Sequence, residues 1–488
     1  MKKFIVLGSG TSGLIAATMI KRRWKDKVHV SLYYDGKKKN IGVGESTTPT
    51  IHYFLKEYLK VDLHEFLRDT GSTVKLGISF REWIKGTDYF HGFPETNDVS
   101  DDHYPESLYS ILTDQYDGGS NTNIAANTIP NHTLEFLHAL HIDTQVFSDY
   151  VRKEMEEEID FIDDVATEIK SDGKNINSIV FEKSGEVTAD FYVDCSGFKS
   201  LLLKELSPEW VDITDKLPVD RAIAQQVPHD FEDEYPTYTI AEATDNGWTW
   251  QIPIQGRYGT GYVYSSKFLS DEDAKEKYGA WLKEKHGVEL DNYNFIKYKP
   301  GFYKKNWIGN CLAIGLSSGF IEPLESTGIH IIVQQMLDFI RYNTTLKNLE
   351  YNKTECNRRN NLLYDEITEF ICLHYNTNRT DSPFWRYMTE NKSDWVKMFD
   401  EKCRQEFLDH KSIEQNKEFW HIDSYIQVAQ GLRLFNPKSI QEWLDSLSNS
   451  EEVYEECRQR WEELNRAKVQ IGKVPHRCVL NGSVVINR

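Results

Sequence analysis

The N-terminal part of the chain alternates between apolar runs and a glycine-rich turn. Phe4–Leu7 is a continuous apolar run, typical of a parallel strand buried on both faces. The sequence GSGTSG at Gly8–Gly13 follows it, and Leu14–Arg23 then has the pattern of a helix that ends in basic residues. Val28–Tyr34 predicts a second strand. This order of strand, turn, helix and strand predicts a Rossmann-type unit.

The glycine-rich turn has the GxGxxG spacing of a dinucleotide-binding loop. Gly8 allows a tight turn, Gly10 lets a pyrophosphate approach the backbone, and Gly13 lets the helix pack closely on the strand. Its position between a strand and a helix favours dinucleotide binding over an unliganded turn. Directly after the second strand, an acid stands close to where a ribose hydroxyl would be bound. We therefore predict cofactor contacts from Gly8, Gly10, Thr11, Ser12, Gly13 and Asp35.

A second junction between a strand and a glycine favours FAD over NAD. Ala189–Gly197 is apolar and then breaks, as expected at another edge of the same cofactor-binding unit. Ile176–Val187 alternates between apolar and polar residues and turns at Ser184-Gly185, which predicts a hairpin inserted into the Rossmann unit. Since the sequence has no second GxGxxG, a separate NAD(P)H domain is not expected, and the electrons must come from elsewhere.

The rest of the chain extends this unit into a larger α/β protein. Its 488 residues exceed the size at which one hydrophobic core stops growing, about 250–300 residues. We predict an FAD-binding, doubly wound Rossmann-type sheet, an inserted mixed β-sheet for the substrate, and a mainly helical C-terminal part with helices at Glu355–Tyr375 and Glu451–Lys468. Residues 1–345 would form the FAD-binding module with interleaved substrate-binding β segments. Residues 346–488 would form a helical subdomain.

Charge and composition exclude several classes of protein. The net charge is −19 and the basic residues form no stripe, so no nucleic-acid partner is expected. The seven cysteines are scattered without a CxxC pair, which favours reduced thiols over disulfides or a zinc site. Gly8 interrupts the first apolar run, which argues against a signal peptide, and no window reaches the ~20 apolar residues of a membrane span. We expect a cytoplasmic protein with no membrane partner.

Four segments together resemble the flavin-dependent halogenases of the tryptophan-halogenase type. They are Gly8–Gly13, Ile41–Thr47, Gly247–Pro253 and Gly319–Gly328. The WxWxIP pattern of the third and the GFIEPLESTG sequence of the fourth are specific to this family within its superfamily, whereas GxGxxG is not. Shorter matches are Asp194–Phe198, His374-Tyr375, Arg379, Asp381-Ser382 and Phe384-Trp385.

The resemblance implies an enzyme that uses FAD in its reduced form, FADH2, supplied by a separate flavin reductase. The reduced flavin reacts with O2, and a halide ion (chloride, bromide or iodide) is oxidised to hypohalous acid. That species travels to a lysine beside a small, electron-rich aromatic substrate of the indole or phenol type. The matching lysine is Lys75, and the second essential residue matches Glu325, which would orient the electrophile and take the ring proton. A homo-oligomer is compatible with the resemblance.

The resemblance also implies which residues surround the flavin and the halide. Ile329–Arg341 has the spacing of an amphipathic helix, for which Ser326 or Thr327 is a suitable N-cap. The N-terminus of such a helix offers N–H groups and a positive dipole to an anion, so Thr327 and Gly328 would bind halide through their amides. Further flavin contacts would come from Val43, Gly44, Glu45, Ser46, Leu316, Ser326 and Ile329, and no metal site is predicted.

The residues around Lys75 allow two interpretations. In Thr73–Phe80 apolar side chains alternate with Lys75, Gly77 and Ser79, and this pattern alone predicts a solvated lysine on a half-exposed strand. The resemblance instead predicts a dry cavity. There the lysine would hold hypohalous acid by a hydrogen bond from its ammonium group or capture the halogen as a haloamine, and the sequence does not choose between these routes.

Other residues are given structural roles. Trp248 and Trp250 would mostly provide bulk that keeps organic substrate from the flavin. His138 and His141 share a helical face, but no third ligand has suitable spacing, which favours a structural role over a metal pair. The chain departs from the family at Tyr34, which stands where the family has an acid, and in its C-terminal part. The resemblance implies that this part, residues 346–488, helps to enclose the substrate site. It does not align with tryptophan-binding residues, so tryptophan is not assigned as the substrate.

Two other functions compete with halogenation. Aromatic monooxygenases of the same superfamily commonly have Gly-Asp where this chain has Gly315-Leu316, and they lack WxWxIP and the lysine–glutamate pair. A non-catalytic flavin-binding interaction protein would have no need of Lys75 or of the run Glu325–Gly328. Halide-dependent turnover separates the halogenase from both.

Overall fold

The computed structural model groups the chain into two compact units. The described residues are 1–38, 42, 44–93, 107–113, 138–231, 234–289, 292–347, 349–408, 419–468 and 474–475. The first unit contains Met1–Ser72, Ile142–Thr214 and Tyr298–Asp365, and the second contains Thr73–His141, Asp215–Lys297 and Glu366–Arg488. Each unit combines three separate stretches of sequence, and the division at residue 345 stays a prediction.

A six-stranded sheet forms the centre of the first unit. Its strands, in spatial order, are Trp307–Ile308, Cys311–Ala313, Phe191–Asp194, Lys2–Leu7, Val28–Tyr34 and Asp160–Asp163. All neighbours pair in parallel except the first two. Helix Thr11–Trp24 joins Lys2–Leu7 to Val28–Tyr34. The predicted Rossmann-type unit is therefore confirmed. The strand Val28–Tyr34 has the predicted bounds, whereas the first strand and the helix extend a few residues beyond theirs.

Smaller sheets and helices complete the first unit. Ala166–Ser171, Ile176–Phe181 and Gly185–Val187 form an antiparallel sheet, which confirms the predicted hairpin. A second small sheet contains Trp210–Asp212, Gly301–Tyr303 and Gly319–Phe320. The other elements are the strand Glu45–Ser46, helical turns at Lys25–Lys27, Gly197–Lys199, Leu203–Leu206 and Gly315–Ser317, and helices Thr50–Tyr53, Phe54–Leu59, Leu63–Thr70, Thr144–Met155, Thr327–Tyr342 and the first part of Glu350–His374.

A seven-stranded mixed sheet forms the centre of the second unit. Its strands, in spatial order, are Asn294–Lys297, Arg221–Pro228, Arg257–Tyr264, Gly247–Ile254, Tyr238–Thr244, Gly77–Ile84 and Thr87–Gly92. The neighbouring strands Tyr238–Thr244 and Gly77–Ile84 pair in parallel, and the other neighbours pair antiparallel. Helix Asp271–His286 covers one face through Tyr278 and Leu282, which join an apolar cluster with Tyr262. The mixed sheet that the sequence predicts is therefore present.

The C-terminal part of the second unit is helical, as predicted. The expected helices at Glu355–Tyr375 and Glu451–Lys468 correspond to Glu350–His374 and Ser450–Lys468. Several helices begin after a Ser or Asn side chain that accepts a hydrogen bond from the first turn. The remaining elements are helices Ser107–Leu112, Pro383–Glu390, Asp394–Gln405, Ile422–Gly431 and Pro437–Asp445, and the strand pairs Thr73–Lys75 with Ala139–Ile142 and Glu234–Tyr235 with Val474–Pro475.

Arg379 and Asp381, which belong to the family resemblance, stabilise a hairpin of the second unit. Arg379 donates to the Asp381 carboxylate from Nε at 3.0 Å and from Nη2 at 2.9 Å. Its Nη1 donates to the carbonyl of Glu82 at 2.9 Å, and Glu82 has a left-handed backbone with φ 60°. The guanidinium also lies 4.3 Å from the centroid of the Trp385 ring. These contacts give this part of the resemblance a structural explanation.

Two expectations about the chain can be checked on the described residues. No helix among them is both long enough and apolar enough to cross a membrane. The six described cysteines are buried thiols outside any disulfide, in agreement with the predicted reduced state.

Candidate active site

The glycine loop connects the first strand of the first unit to its first helix. Gly8 has φ 115°, and a Cβ at Gly13 would lie 1.8 Å from the Gly8 carbonyl oxygen, so glycine is required where the helix meets the strand. Thr11 and Ser12 form the first turn of the helix. Gly10 precedes that turn without a capping side chain, and the turn contains no acid. Its N–H groups are therefore suited to an anion such as a pyrophosphate.

Asp35 follows the second strand of the sheet, as predicted. Its Oδ1 accepts from the N–H of Lys37 at 3.1 Å, and its Oδ2 lies 3.4 Å from Nζ of Lys38. The hydrogen bond from Lys37 holds the pKa of Asp35 below its usual value, so a carboxylate stands at this position at neutral pH. Tyr34 is held by Arg152, whose Nη1 donates to the Tyr34 hydroxyl at 2.9 Å.

The segment after Gly42 is attached to helix Thr327–Tyr342. It contains the predicted flavin contacts Gly44, Glu45 and Ser46, whereas Val43 lies outside the described residues. Glu45 is partly buried, and desolvation raises its pKa to about 7. Nδ1 of His330 hydrogen-bonds to the hydroxyls of Thr48 and Thr50 at 3.1 and 2.9 Å. Burial lowers the pKa of His330 to about 4, so a neutral ring makes this attachment.

The turn that carries Leu316 lies next to the glycine loop. A Cβ at Gly315 would be 3.1 Å from Cβ of Ser12, and the Leu316 side chain is partly exposed. Buried Gln335 fixes the turn, because its Oε1 accepts from the N–H of Gly315 at 2.9 Å and its Nε2 donates to Oγ of Ser318 at 2.7 Å. The sequence analysis missed Gln335, although a polar residue on the apolar face of an amphipathic helix is the pattern that marks such a role.

The helix predicted from Ile329 begins at Thr327, two residues earlier. Ser326 occupies the N-cap position, but its backbone is left-handed, with φ 59°, and its side chain makes no capping hydrogen bond. The predicted side-chain cap at Ser326 is therefore wrong, because capping requires an extended backbone at that residue. The first turn contains no acid, and a Cβ at Gly328 would meet no atom within 4 Å. Side-chain volume would therefore be tolerated at Gly328, and buried Ile329 anchors the turn.

Glu325 lies directly before this helix in the first unit. Its side chain is 3% exposed, and Glu322 in the same turn is equally buried. The two carboxyl groups lie three residues apart and are similarly buried. Only Glu325 corresponds to a residue that the family resemblance implies is essential. Burial to this extent is unusual for glutamate and is typical of functional carboxyl groups.

Lys75 is buried in the second unit, with 1% of its surface exposed. Its strand, Thr73–Lys75, pairs with Ala139–Ile142 and is separated by Leu76 from the next strand, Gly77–Ile84. The predicted solvated lysine on a half-exposed strand is wrong, because residues on both faces of these strands are buried. Nζ of Lys75 lies 5.5 Å from the centroid of the Phe93 ring.

His141 lies on the strand beside Lys75 and not on a helix, so the predicted helical face with His138 is wrong. The ring is fully buried, and its Nδ1 and Nε2 lie 3.1 and 3.0 Å from the hydroxyls of Thr73 and Thr239. Burial, and then the charge of Lys75, lowers its pKa well below the usual value.

Aromatic rings surround other parts of the second unit. Trp248 and Trp250 are buried on one strand with ring centroids 6.1 Å apart, and their role as bulk that keeps organic substrate from the flavin stays a prediction. The buried ring of His91 lies 5.4 Å from Phe370 and 5.8 Å from Trp420, which stack on each other at 4.3 Å. The sequence analysis missed this second group, because its members are distant in the sequence.

The parallel sheet, the glycine loop and the carboxylate after the second strand define a Rossmann-type dinucleotide-binding protein. The glycine positions fit the pyrophosphate of such a cofactor, since side chains there would close the approach between loop and helix.

Comparisons with known proteins identify the family. The family model described as tryptophan halogenase matches residues 3–449. The tryptophan 6-halogenase SttH of Streptomyces toxytricini is 30% identical over 429 residues, 79% of this chain and 80% of that protein. The tryptophan 7-halogenase RebH of Lentzea aerocolonigenes is 30% identical over 416 residues, with 79% and 78% covered. This chain belongs to the tryptophan halogenase family.

Solved structures agree with this assignment. A tryptophan C-6 flavin-dependent halogenase (chlorinase) from taromycin biosynthesis has a TM-score of 0.84 at 26% identity, with 96% of this chain and 97% of that chain covered. BrvH, a flavin-dependent halogenase from Brevundimonas sp. BAL3, has a TM-score of 0.82 at 25% identity, with 99% of each chain covered. The predicted fold class and enzyme class are confirmed: the protein is a flavin-dependent halogenase, a family that uses FAD and halide and acts on aromatic substrates.

Proposed function

We propose that the enzyme converts halide to hypohalous acid with FADH2 and O2 and uses Lys75 to direct this electrophile onto an electron-rich aromatic ring of the indole or phenol type. FADH2 would come from a separate flavin reductase, since the sequence has no second GxGxxG. The observation that carries the proposal is the burial of Lys75, whose side chain is 1% exposed. A lysine is rarely buried to this extent without a specific role.

The first unit supports the proposed flavin contacts. The bound flavin would supply the oxidation of halide by O2. The pyrophosphate would be held by the helix N-terminus after Gly10, and a ribose hydroxyl would donate to the ordered carboxylate of Asp35. The turn at Leu316 and the attached segment Gly44–Ser46 would contact the rest of the cofactor.

The start of helix Thr327–Tyr342 supports the proposed halide site. The amides of Thr327 and Gly328 would bind the anion, because the helix dipole and unpaired N–H groups favour negative charge there. An acid in the first turn would oppose binding, and none is present. Bromide and iodide are easier to oxidise than chloride, so we expect the heavier halides to react faster.

Lys75 and Glu325 would handle the protons of the transfer step. The carbon–halogen bond forms as the oxygen–halogen bond of hypohalous acid breaks, and the hydroxide leaves as water after taking a proton from the Lys75 ammonium. Glu325 takes the proton that the ring loses, so the reaction produces halogenated substrate and water. Burial excludes water that would consume the electrophile.

The rings of the second unit support an aromatic substrate. Phe93 lies against the ammonium of Lys75, and His91 lies with Phe370 and Trp420 on the same unit. Aromatic surfaces of this kind bind flat rings by stacking and edge contacts. The named relatives act on tryptophan, and indoles are therefore the first class to test.

Product mass tests the proposal. Purified enzyme is supplied with FAD, NADH, an unrelated flavin reductase, O2, a panel of indoles and phenols, and each halide in turn. We expect a halide-dependent mass shift that is lost in Lys75→Ala, whereas the variant still binds FAD. A product that gains only oxygen, or normal halogenation by Lys75→Ala, would contradict the proposal. A halide competition that gave only chlorinated product would contradict the expected preference.

A further inference from the structure

The ring of His141 is fixed by two threonine hydroxyls on different strands. Oγ1 of Thr73 donates its one proton to the Pro253 carbonyl at 2.6 Å, so it accepts from Nδ1 of His141 at 3.1 Å. Nδ1 therefore carries a proton. In a neutral ring, Nε2 then accepts the proton of the Thr239 hydroxyl at 3.0 Å. The geometry thus selects the Nδ1–H tautomer.

We propose that His141 is a positioning residue for Lys75, which it holds in place as a neutral Nδ1–H imidazole without adding a second positive charge. Thr73 and Lys75 share one short strand, and the His141 strand pairs with it at Thr73. The hydrogen bonds of His141 therefore connect the Lys75 strand to Tyr238–Thr244, a strand of the main sheet. The inference rests on the proposed role of Lys75.

The charges around His141 explain why its neutral state matters. Lys75 is the charged group that acts on the ring, whereas Thr73, Thr239 and the Pro253 carbonyl, from the packed strands, are neutral. Burial and Lys75 both lower the pKa of His141. Because the repulsion between two positive charges acts on both groups, a charged His141 would lower the pKa of Lys75 and favour loss of its proton. A free amine would attack the halogen of hypohalous acid and form a haloamine and water, whereas an ammonium group has no lone pair for this attack and donates a hydrogen bond to hypohalous acid instead. A neutral His141 therefore favours the hydrogen-bonding route.

The tautomer can be measured without any activity assay. The full chain is labelled with 15N-histidine, and the His141 resonances are assigned by their loss in His141→Asn. We expect the two nitrogen shifts of a neutral Nδ1–H ring, unchanged as the pH falls from about 8 to 5.5. An imidazolium, or a ring protonated at Nε2, would overturn the inference.

The functional test uses Thr239→Val, which removes the hydroxyl that stabilises the unprotonated Nε2. The pKa of His141 should rise, and halogenation should fall as the pH is lowered through that new pKa, whereas FAD affinity stays unchanged. Thr249→Val is the matched control, since Thr249 is a buried threonine on the opposite face of the same sheet. We expect the control to keep the wild-type pH profile.

The outcomes separate this inference from the proposed function. Normal halogenation by Lys75→Ala would remove the proposed function and the inference with it. If Lys75→Ala is inactive but Thr239→Val raises the pKa of His141 without a new step in the pH profile, the inference alone fails. If the step in activity follows the pKa that NMR measures, the positioning role is supported, because a purely structural defect would not titrate.

Discussion

The glycine loop of the first unit and the surroundings of Lys75 in the second unit are built in opposite ways. The loop Gly8–Gly13 is contiguous in sequence, and its binding groups are backbone N–H groups that need the absence of side chains. The Lys75 environment combines side chains from separated strands, among them Thr73, His141 and Thr239. The difference teaches that a backbone site is sensitive to added volume, whereas a site of buried side chains is sensitive to charge and protonation.

The largest effect is expected from Gly13→Ala in the backbone site. The new Cβ would lie 1.8 Å from the Gly8 carbonyl oxygen, so the helix must move away from the strand. We expect the Kd for FAD to rise at least about 100-fold and the free energy of unfolding to fall by about 3 kcal/mol. Gly287→Ala, in open space after helix Asp271–His286, is the control and should leave FAD affinity unchanged. Flavin titration and thermal unfolding measure both, and an unchanged Kd in Gly13→Ala would break the comparison.

Glu325→Gln should have the next largest effect, on chemistry and not on binding. The amide keeps the shape of the side chain but cannot take the ring proton, and general bases contribute about 100-fold or more to kcat. We therefore expect the kcat of steady-state halogenation to fall about 100-fold or more, whereas the affinity for FAD stays unchanged. Glu322→Gln, which replaces an equally buried acid three residues earlier, is the control. Equal losses in both variants would point to a structural role for Glu325.

Gln335→Leu should have a smaller effect and extends the comparison to a side chain that supports the backbone site. The change leaves the buried N–H of Gly315 without its acceptor, a loss of about 2 kcal/mol in the free energy of unfolding. Because this turn carries Leu316, the Kd for FAD should also rise several-fold. The neighbouring, less buried Gln334 provides a control through Gln334→Leu. Denaturant unfolding checks the prediction, and equal stability of the two variants would contradict it.

Glu45→Gln should have the smallest effect, visible only as a pH dependence. The pKa of Glu45 is raised by desolvation from its ordinary 4.5 to about 7, so the folded protein binds this proton more tightly than the unfolded chain. Its stabilising contribution is complete below pH 4.5 and is lost as the pH rises through about 7. The full shift corresponds to a loss of about 2.5 kcal/mol between pH 5 and 8. Because Glu45 is partly exposed and its charge is screened by solvent, we expect the wild type to lose about 1–2 kcal/mol relative to Glu45→Gln over this range. Parallel pH dependences of the two proteins in unfolding experiments without flavin would contradict this account.

Local sequence predicted the first unit well. Phe4–Leu7 and Val28–Tyr34 are observed as strands, because apolar runs of that length between turns suit a buried parallel sheet. The loop residues Gly8 to Gly13 lie where the motif places them, since each glycine has a local steric reason. Ser326 shows the limit, because its left-handed backbone depends on the preceding turn and not on its own capping propensity.

The second unit could be predicted only in outline. The alternation around Lys75 suggested one exposed face. The strand is interrupted at Leu76, however, and both faces of the paired strands Thr73–Lys75 and Ala139–Ile142 are buried. His141 was assigned to a helix from spacing alone, whereas pairing with Thr73 makes it part of a strand. Such pairings join residues far apart in sequence, and no local pattern contains them. The family resemblance, and not the periodicity of the sequence, predicted that Lys75 is buried away from solvent.

The central claim is that the flavin oxidises halide and that Lys75 is needed only to transfer the halogen to the substrate. The fate of oxidised halide in Lys75→Ala tests this claim most directly. The variant is supplied with FADH2, O2, bromide and an indole, and a small scavenger in the buffer captures released hypobromous acid. The exposed Lys283→Ala serves as control. We predict that Lys75→Ala still binds FAD and delivers bromine to the scavenger while brominated indole is lost. Normal bromination of the indole, or loss of hypobromous acid together with the product, would contradict the account.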